Sequence, residues 1–178
     1  DGQKRQFLQT VNTNKEGEVD IEVPNIGKVS IVNLRSDEIG VANISNGVCF
    51  LRPRFEPYVF VPPMRYIRTE KTNEPIITEG DLHRVVLDPT QRAAIAKDGV
   101  YQLLELDKPG QDNCWIFRSN NFKFYGPSNK TDKDYELGTQ RFVRVDPGEV
   151  GYYVGQNGTE ILDVGSHIID NAKGDNWE

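Results

Sequence analysis

Two short stretches of this chain share a pattern that few folds accommodate. Ser36-Asp37-Glu38-Ile39-Gly40-Val41 leads to Asn46-Gly47, and Pro147-Gly148-Glu149-Val150-Gly151-Tyr152 leads to Asn157-Gly158. In each, a Glu precedes a β-branched residue and a Gly, and the Gly of an Asn-Gly pair follows nine residues after the Glu. Asn-Gly between apolar runs is a strong hairpin signal, because a type I′ turn needs positive φ at both central residues. A third copy is Pro89-Thr90-Gln91-Arg92-Ala93-Ala94, leading to Asp98-Gly99 with a first strand one residue shorter. The turn glycines Gly47, Gly99 and Gly158 are thus 52 and 59 residues apart, the spacing of repeated supersecondary units.

The rest of the chain agrees with strands. Val19, Ile21 and Val23 alternate with Asp20 and Glu22, and Val29, Ile31 and Leu34 follow after Pro24-Asn25-Ile26-Gly27. Alternation with a period of two marks half-buried strands. It returns at 58–61, 64–67, 85–87, 114–117, 122–125, 142–145 and 150–154, with 16 Gly and 10 Pro scattered as turn signals. The expected fold is mainly β: about three small antiparallel modules in tandem, with little helix. We place a loose N-terminal arm at 1–17, modules at 18–70 and 71–125, and a polar loop at 126–140. A third module follows at 141–178. The chain begins Asp1-Gly2-Gln3 and stops abruptly after an apolar segment, so we expect a piece of something longer with the third module truncated.

One segment carries two signals. Asp88-Pro89-Thr90-Gln91 reads as a helix start, with Asp at the N-cap, Pro at N1 and Gln at N3, and 92–97 contains good helix formers before Gly99. The repeat reads the same residues as a strand. We favour strand, because the other two copies are strand-like.

Val145-Asp146-Pro147-Gly148-Glu149-Val150-Gly151, then Asn157-Gly158, Leu162 and Gly165-Ser166-His167, resembles the β repeat of the major vault protein family. Asp112-Asn113-Cys114-Trp115-Ile116-Phe117 before Tyr125-Gly126-Pro127 is similar to a second segment of that repeat. The same pattern resembles the β-rich start of band-7 domains, as in stomatin and prohibitin. The likeness covers about 35–170. It departs from the family at Ser36-Asp37, Pro89-Thr90 and Gly165-Ser166, where Pro-Gly is the family's pattern. The resemblance implies antiparallel β-modules strung end to end, which in vaults form the wall of a cytoplasmic shell, and it carries no catalytic residue.

The chain carries little chemistry to set against that reading. Lys and Arg number 21 against 27 Asp and Glu, a net charge of -6. That balance argues against sequence-independent nucleic-acid binding and against adsorption to an anionic membrane. His83 and His167 have no partner at zinc-ligand spacing. We read His83 as a strand-surface residue and His167 as a structural hydrogen-bonding residue at a corner. No nucleophile elbow, phosphate loop or dinucleotide fingerprint appears. Asp132, Asp134, Asp107 and Asp112 lack a calcium-binding frame, and Glu74, Glu79 and Asp81 read as solvated charge. Cys49 and Cys114 have no metal-type neighbours; two thiols in a reducing compartment is the favoured reading, with a disulfide left open. The sequons at Asn43, Asn129 and Asn157 carry little weight.

We therefore expect no catalysis, no cofactor and no metal, and a structural or interaction protein of the cytoplasm. Its partners are expected to be other protein chains or copies of itself, with no direct nucleic-acid contact and a membrane only through an anchor elsewhere in a parent chain. The expected turns are Asn46-Gly47, Gly99 and Asn157-Gly158. The candidate partner surface is Arg52, Arg54, Arg65 and Arg68 around Pro62-Pro63, with Trp115 and Phe122 from the aromatic cluster 115–125. A band-7-like membrane-associated scaffold, and an enzyme or binding protein that reuses the β-module, stand as alternatives.

Overall fold

The computed structural model describes residues 17–106, 110–137, 139–155 and 158–170. Among these residues there are seventeen strands and no helix. The sequence order is β1 (Gly17–Val23), β2 (Gly27–Asn33), β3 (Glu38–Ile44), β4 (Gly47–Leu51), β5 (Tyr58–Phe60) and β6 (Arg65–Lys71). Then come β7 (Ile76–Glu79), β8 (Leu82–Val86), β9 (Gln91–Lys97), β10 (Val100–Glu105), β11 (Cys114–Arg118) and β12 (Phe122–Asn129). Last are β13 (Asp134–Leu137), β14 (Gln140–Val145), β15 (Gly151–Gly155), β16 (Gly158–Leu162) and β17 (Gly165–Asp170). The segment 91–97 is strand β9, so the repeat prevails over local helix propensity.

The pairing repeats with a period of six strands. In the first module the sheets are β1-β2-β5 and β4-β3-β6; in the second they are β11-β8-β7 and β10-β9-β12. The third has β13-β14-β17 and the β15-β16 hairpin. Each module thus makes two hairpins, then returns one strand to the edge of the first sheet and, in the first two modules, one to the edge of the second. The chain also divides into two compact units between Leu82 and His83, inside β8.

The third module begins earlier than the sequence indicates. The stretch 126–140, read there as a polar loop, contains the end of β12 and all of β13. Polarity misleads because the strand is held by its ladder to β14, with Asp134 opposite Val143 and Tyr135 opposite Phe142. The expected arm at 1–17 lies outside the described residues apart from Gly17, as do Asp107, Asn157 and the chain after Asp170.

The repeat signature has a structural meaning that the backbone makes plain. Glu38, Gln91 and Glu149 each close a four-residue turn at the equivalent position, with the same pair of hydrogen bonds. Their amides donate to the carbonyls of Arg35, Asp88 and Asp146 at 3.1, 2.9 and 3.0 Å. Their side chains accept in return from the amides of those three residues at 3.0, 3.0 and 3.2 Å. Gly148, at φ 92°, occupies the turn position after Pro147 where a type II turn demands positive φ. The small residue two places after the Glu or Gln then sits under larger side chains. A Cβ added to Gly40 would lie 3.1 Å from Leu34 and 3.3 Å from Leu51. On Gly151 it would lie 2.5 Å from Val145 and 3.2 Å from Leu162. Ala93 holds the same place in the second module, opposite Leu104.

The hairpin turns correct the sequence reading at Asn46. Among the described non-glycine residues only Asn25 (φ 64°) and Asp98 (φ 52°) have positive φ. Asp98-Gly99, with Gly99 at φ 83° and Lys97 opposite Val100, is therefore the hairpin with positive φ at both central positions. Asn46 is not. There Ile44 pairs with Gly47, and Gly47 at φ 101° closes the turn alone. Gly158, at φ 111° opposite Gly155, sits in the same register as Gly47.

The first module's core lies between its two sheets: Val32, Leu34, Ala42, Phe60 and Tyr66 are buried, with Cys49, Leu51, Tyr58 and Met64 packed around them. In the second module Val85, Leu87, Ala93 and Ile95 are wholly buried.

Candidate assembly surface

The outer face of each module's second sheet is the feature that packing singles out. In the first module Ile39 and Val41 on β3 are buried together with Ile77, which belongs to β7, the opening strand of the next module. Val48, Phe50 and Ile67 pack around them. One module's second sheet is thus sealed by the first strand of the module that follows, and the seal is apolar, with Ile39, Val41 and Ile77 at its centre.

The second module repeats this with different chemistry. Ala94 takes the place of Val41 and is buried with Phe142 on β14, while Tyr101, Leu103, Tyr125 and Tyr135 pack around the pair. Arg92 takes the place of Ile39. Its side chain is fully buried, its guanidinium lies 4.0 Å from the centre of the Phe142 ring and 5.2 Å from that of Tyr135, and none of its three nitrogens has a hydrogen-bond partner. Glu105 stands opposite Arg92 in the ladder with Oε2 buried and unbonded. Burial pushes the Arg92 pKa down, and Tyr135 and Glu105 act against that. Burial likewise pushes the Tyr135 phenol up. An ionised group without hydrogen bonds is costly in a dry interior, and ring faces at these distances return part of that cost. This site is not legible from residue types alone, because an Arg in a strand is ordinarily a surface residue.

The residues that sequence reading proposed as a partner surface are dispersed. Arg54 folds onto its own loop, donating to the carbonyls of Glu56 and Pro57 at 3.0 and 3.1 Å and lying over the Tyr58 ring. The Arg52 carbonyl accepts from the Tyr58 hydroxyl at 2.7 Å. Arg65 is exposed opposite Asn43 on β6. Arg68 pairs with Glu70 and Glu79 and donates to the Thr78 carbonyl, so Glu79 is an ion-pair partner rather than solvated charge. Trp115 is half-buried on β11. Phe122 stacks on His83 with ring centres 4.1 Å apart and packs on Phe117. The aromatic cluster is therefore divided, since Tyr125 stacks on Tyr101 instead.

His83 is buried, not at the strand surface: its Nε2 is 2.9 Å from the Ser119 carbonyl, and the Phe122 ring covers its face. His167 Nε2 lies 2.7 Å from the Asp163 carbonyl. Neither Cys49 nor Cys114 is in a disulfide. Among the described residues no three His, Cys, Asp or Glu side chains gather as a metal site. Asp112 and Asp132 instead accept from the amides of Cys114 and Asn129. Among those residues, too, no helix is long and apolar enough to cross a membrane. No family model, curated protein or solved structure matches the chain.

Proposed function

We propose that this chain is a non-catalytic structural or interaction protein, a segment of vault-like β-repeats that builds an assembly wall or a partner-binding arm in the cytoplasm. The observation that carries the reading is the recurrent joint. Ile39 and Val41 close on Ile77, and Arg92 and Ala94 close on Tyr135 and Phe142, at the same positions of successive repeats. Modules that bury a face only against a neighbour are the units of repeat architectures, whose stability is a sum of intrinsic and nearest-neighbour terms. The partners are other protein chains or further copies of this one. The work is done by surface burial, with no cofactor. Imaging the full-length protein in negative stain tests this. Extended multi-copy particles are expected, and strictly monomeric compact particles overturn it.

A further inference from the structure

Resting on that reading, we propose that the outer face of the β15–β16 hairpin binds the β1–β2 hairpin of a second copy of this chain, head to tail. In the first two modules the four positions of the sealed face are Ile39, Val41, Val48 and Phe50, then Arg92, Ala94, Tyr101 and Leu103. The shared turns and ladders place Val150, Tyr152, Thr159 and Ile161 at these positions in the third: Tyr152 pairs with Ile161 as Val41 pairs with Phe50 and Ala94 with Leu103. Ile39, Val41 and Arg92 are at most 4% exposed, whereas Val150 is 76%, Tyr152 43% and Ile161 73% exposed. Among the described residues no hairpin covers this face.

The matching receptor surface is on the same chain. Tyr135 and Phe142, which receive the second module's face, stand opposite each other on β13 and β14. The corresponding ladder pair in the first module is Val19 opposite Ile31, on β1 and β2. Both are only half-buried. With Val150 where the second module has Arg92, the new joint sets Val150, Ile161 and the Tyr152 ring against Val19 and Ile31, and it traps no charge. Because the two surfaces differ, the contact is heterologous, so copies add head to tail, as an open chain or a ring, rather than pairing as a symmetric dimer.

Sedimentation of the 178-residue chain over a concentration series tests this. The wild type is expected to grow reversibly past the dimer mass. Ile161→Lys removes one surface and Ile31→Lys the other, so each variant alone should stay monomeric over the same range. Equimolar mixing should give a dimer and nothing larger, because each variant retains the surface its partner lacks. Circular dichroism confirms folding, and Val19→Lys replaces Ile31→Lys if that variant unfolds. Association that neither variant alters overturns this joint while leaving the assembly reading intact. A wild type that is monomeric throughout overturns both.

Discussion

The Arg92 guanidinium carbon lies 4.0 Å from the centre of the Phe142 ring, and the ring belongs to the module after the one that carries the arginine. The same position one repeat earlier is Ile39, packed on Ile77. An apolar side chain is thus already shown to fit this type of joint.

Replacing a buried ion by an apolar residue of similar volume is often neutral or stabilising, whereas removing one partner alone strands the other. Arg92→Met combined with Glu105→Gln is expected to equal or exceed wild-type stability. Arg92→Met alone should fall below the double variant, because the Glu105 carboxylate loses its countercharge. Phe142→Ala should cost about 3–5 kcal/mol, the usual range for deleting a fully buried phenyl ring. Urea denaturation at fixed pH checks all four proteins. A double variant well below wild type would show that the cation is needed for the joint.

A second test concerns the close approach of β12 to β9. A Cβ built on Gly126, at φ 133°, would lie 2.9 Å from the Ala93 Cβ and 3.2 Å from its Cα. The first module has Gly40 where the second has Ala93, so the second module moves the missing side chain to the facing strand. Gly126→Ala should destabilise by about 1–3 kcal/mol through overpacking alone, with backbone strain added. Adding Ala93→Gly should recover part of that loss, since it removes the nearest atom but not the strained φ. A thermodynamic cycle of the four proteins measures the coupling. Additive effects would refute the contact.

The turn that opens each second sheet gives a third test. Gln91 uses its side chain to accept from the Asp88 amide, as Glu38 does for Arg35 and Glu149 for Asp146. Gln91→Glu should therefore be close to neutral, while Gln91→Ala loses the bond and should cost about 0.5–1.5 kcal/mol. Thermal melts of both variants decide it, and equal effects would show that the side-chain bond contributes nothing.

That turn also explains which parts of the fold were legible in the sequence. A side chain at the fourth position reaching back to the first amide is half of a helix capping box, so Asp88-Pro89-Thr90-Gln91 carries a true local signal for either structure. The buried face decides for strand: Ala93, Ala94 and Ile95 are all buried in the sheet. The repeat frame was readable because its Glu, Gly and turn glycines obey backbone rules. Strand β13 was not, because Asp134 and Glu136 disguise a segment whose pairing with β14 supplies its order. The joints were not readable either. Whether residue 92 or 150 is covered depends on which hairpin follows, and no local pattern encodes that.

Asp20 is held below its ordinary 3.8 chiefly by hydrogen bonds from Lys28 and Ser30, and Asp37 by one from Lys71. Asp146 is lowered by Arg144, and Glu149 falls below 4.5 beside Lys133. A depressed carboxylate adds stability that is fully present above its unfolded pKa and is lost as pH falls through the folded value. The lysines run the other way: Lys28, Lys71 and Lys133 are raised above 10.5 by Asp20, Asp37 and Glu149. Their contribution is complete below the unfolded value and is lost as pH rises through the folded one. The contribution of these pairs should thus be level between about pH 5 and pH 9 and decline on both sides. All these pairs lie at the surface, so solvent and salt screen them. The acid-side decline should shrink when the melts are repeated in molar sodium chloride. An acid decline that salt leaves unchanged would assign it to buried groups instead of these pairs.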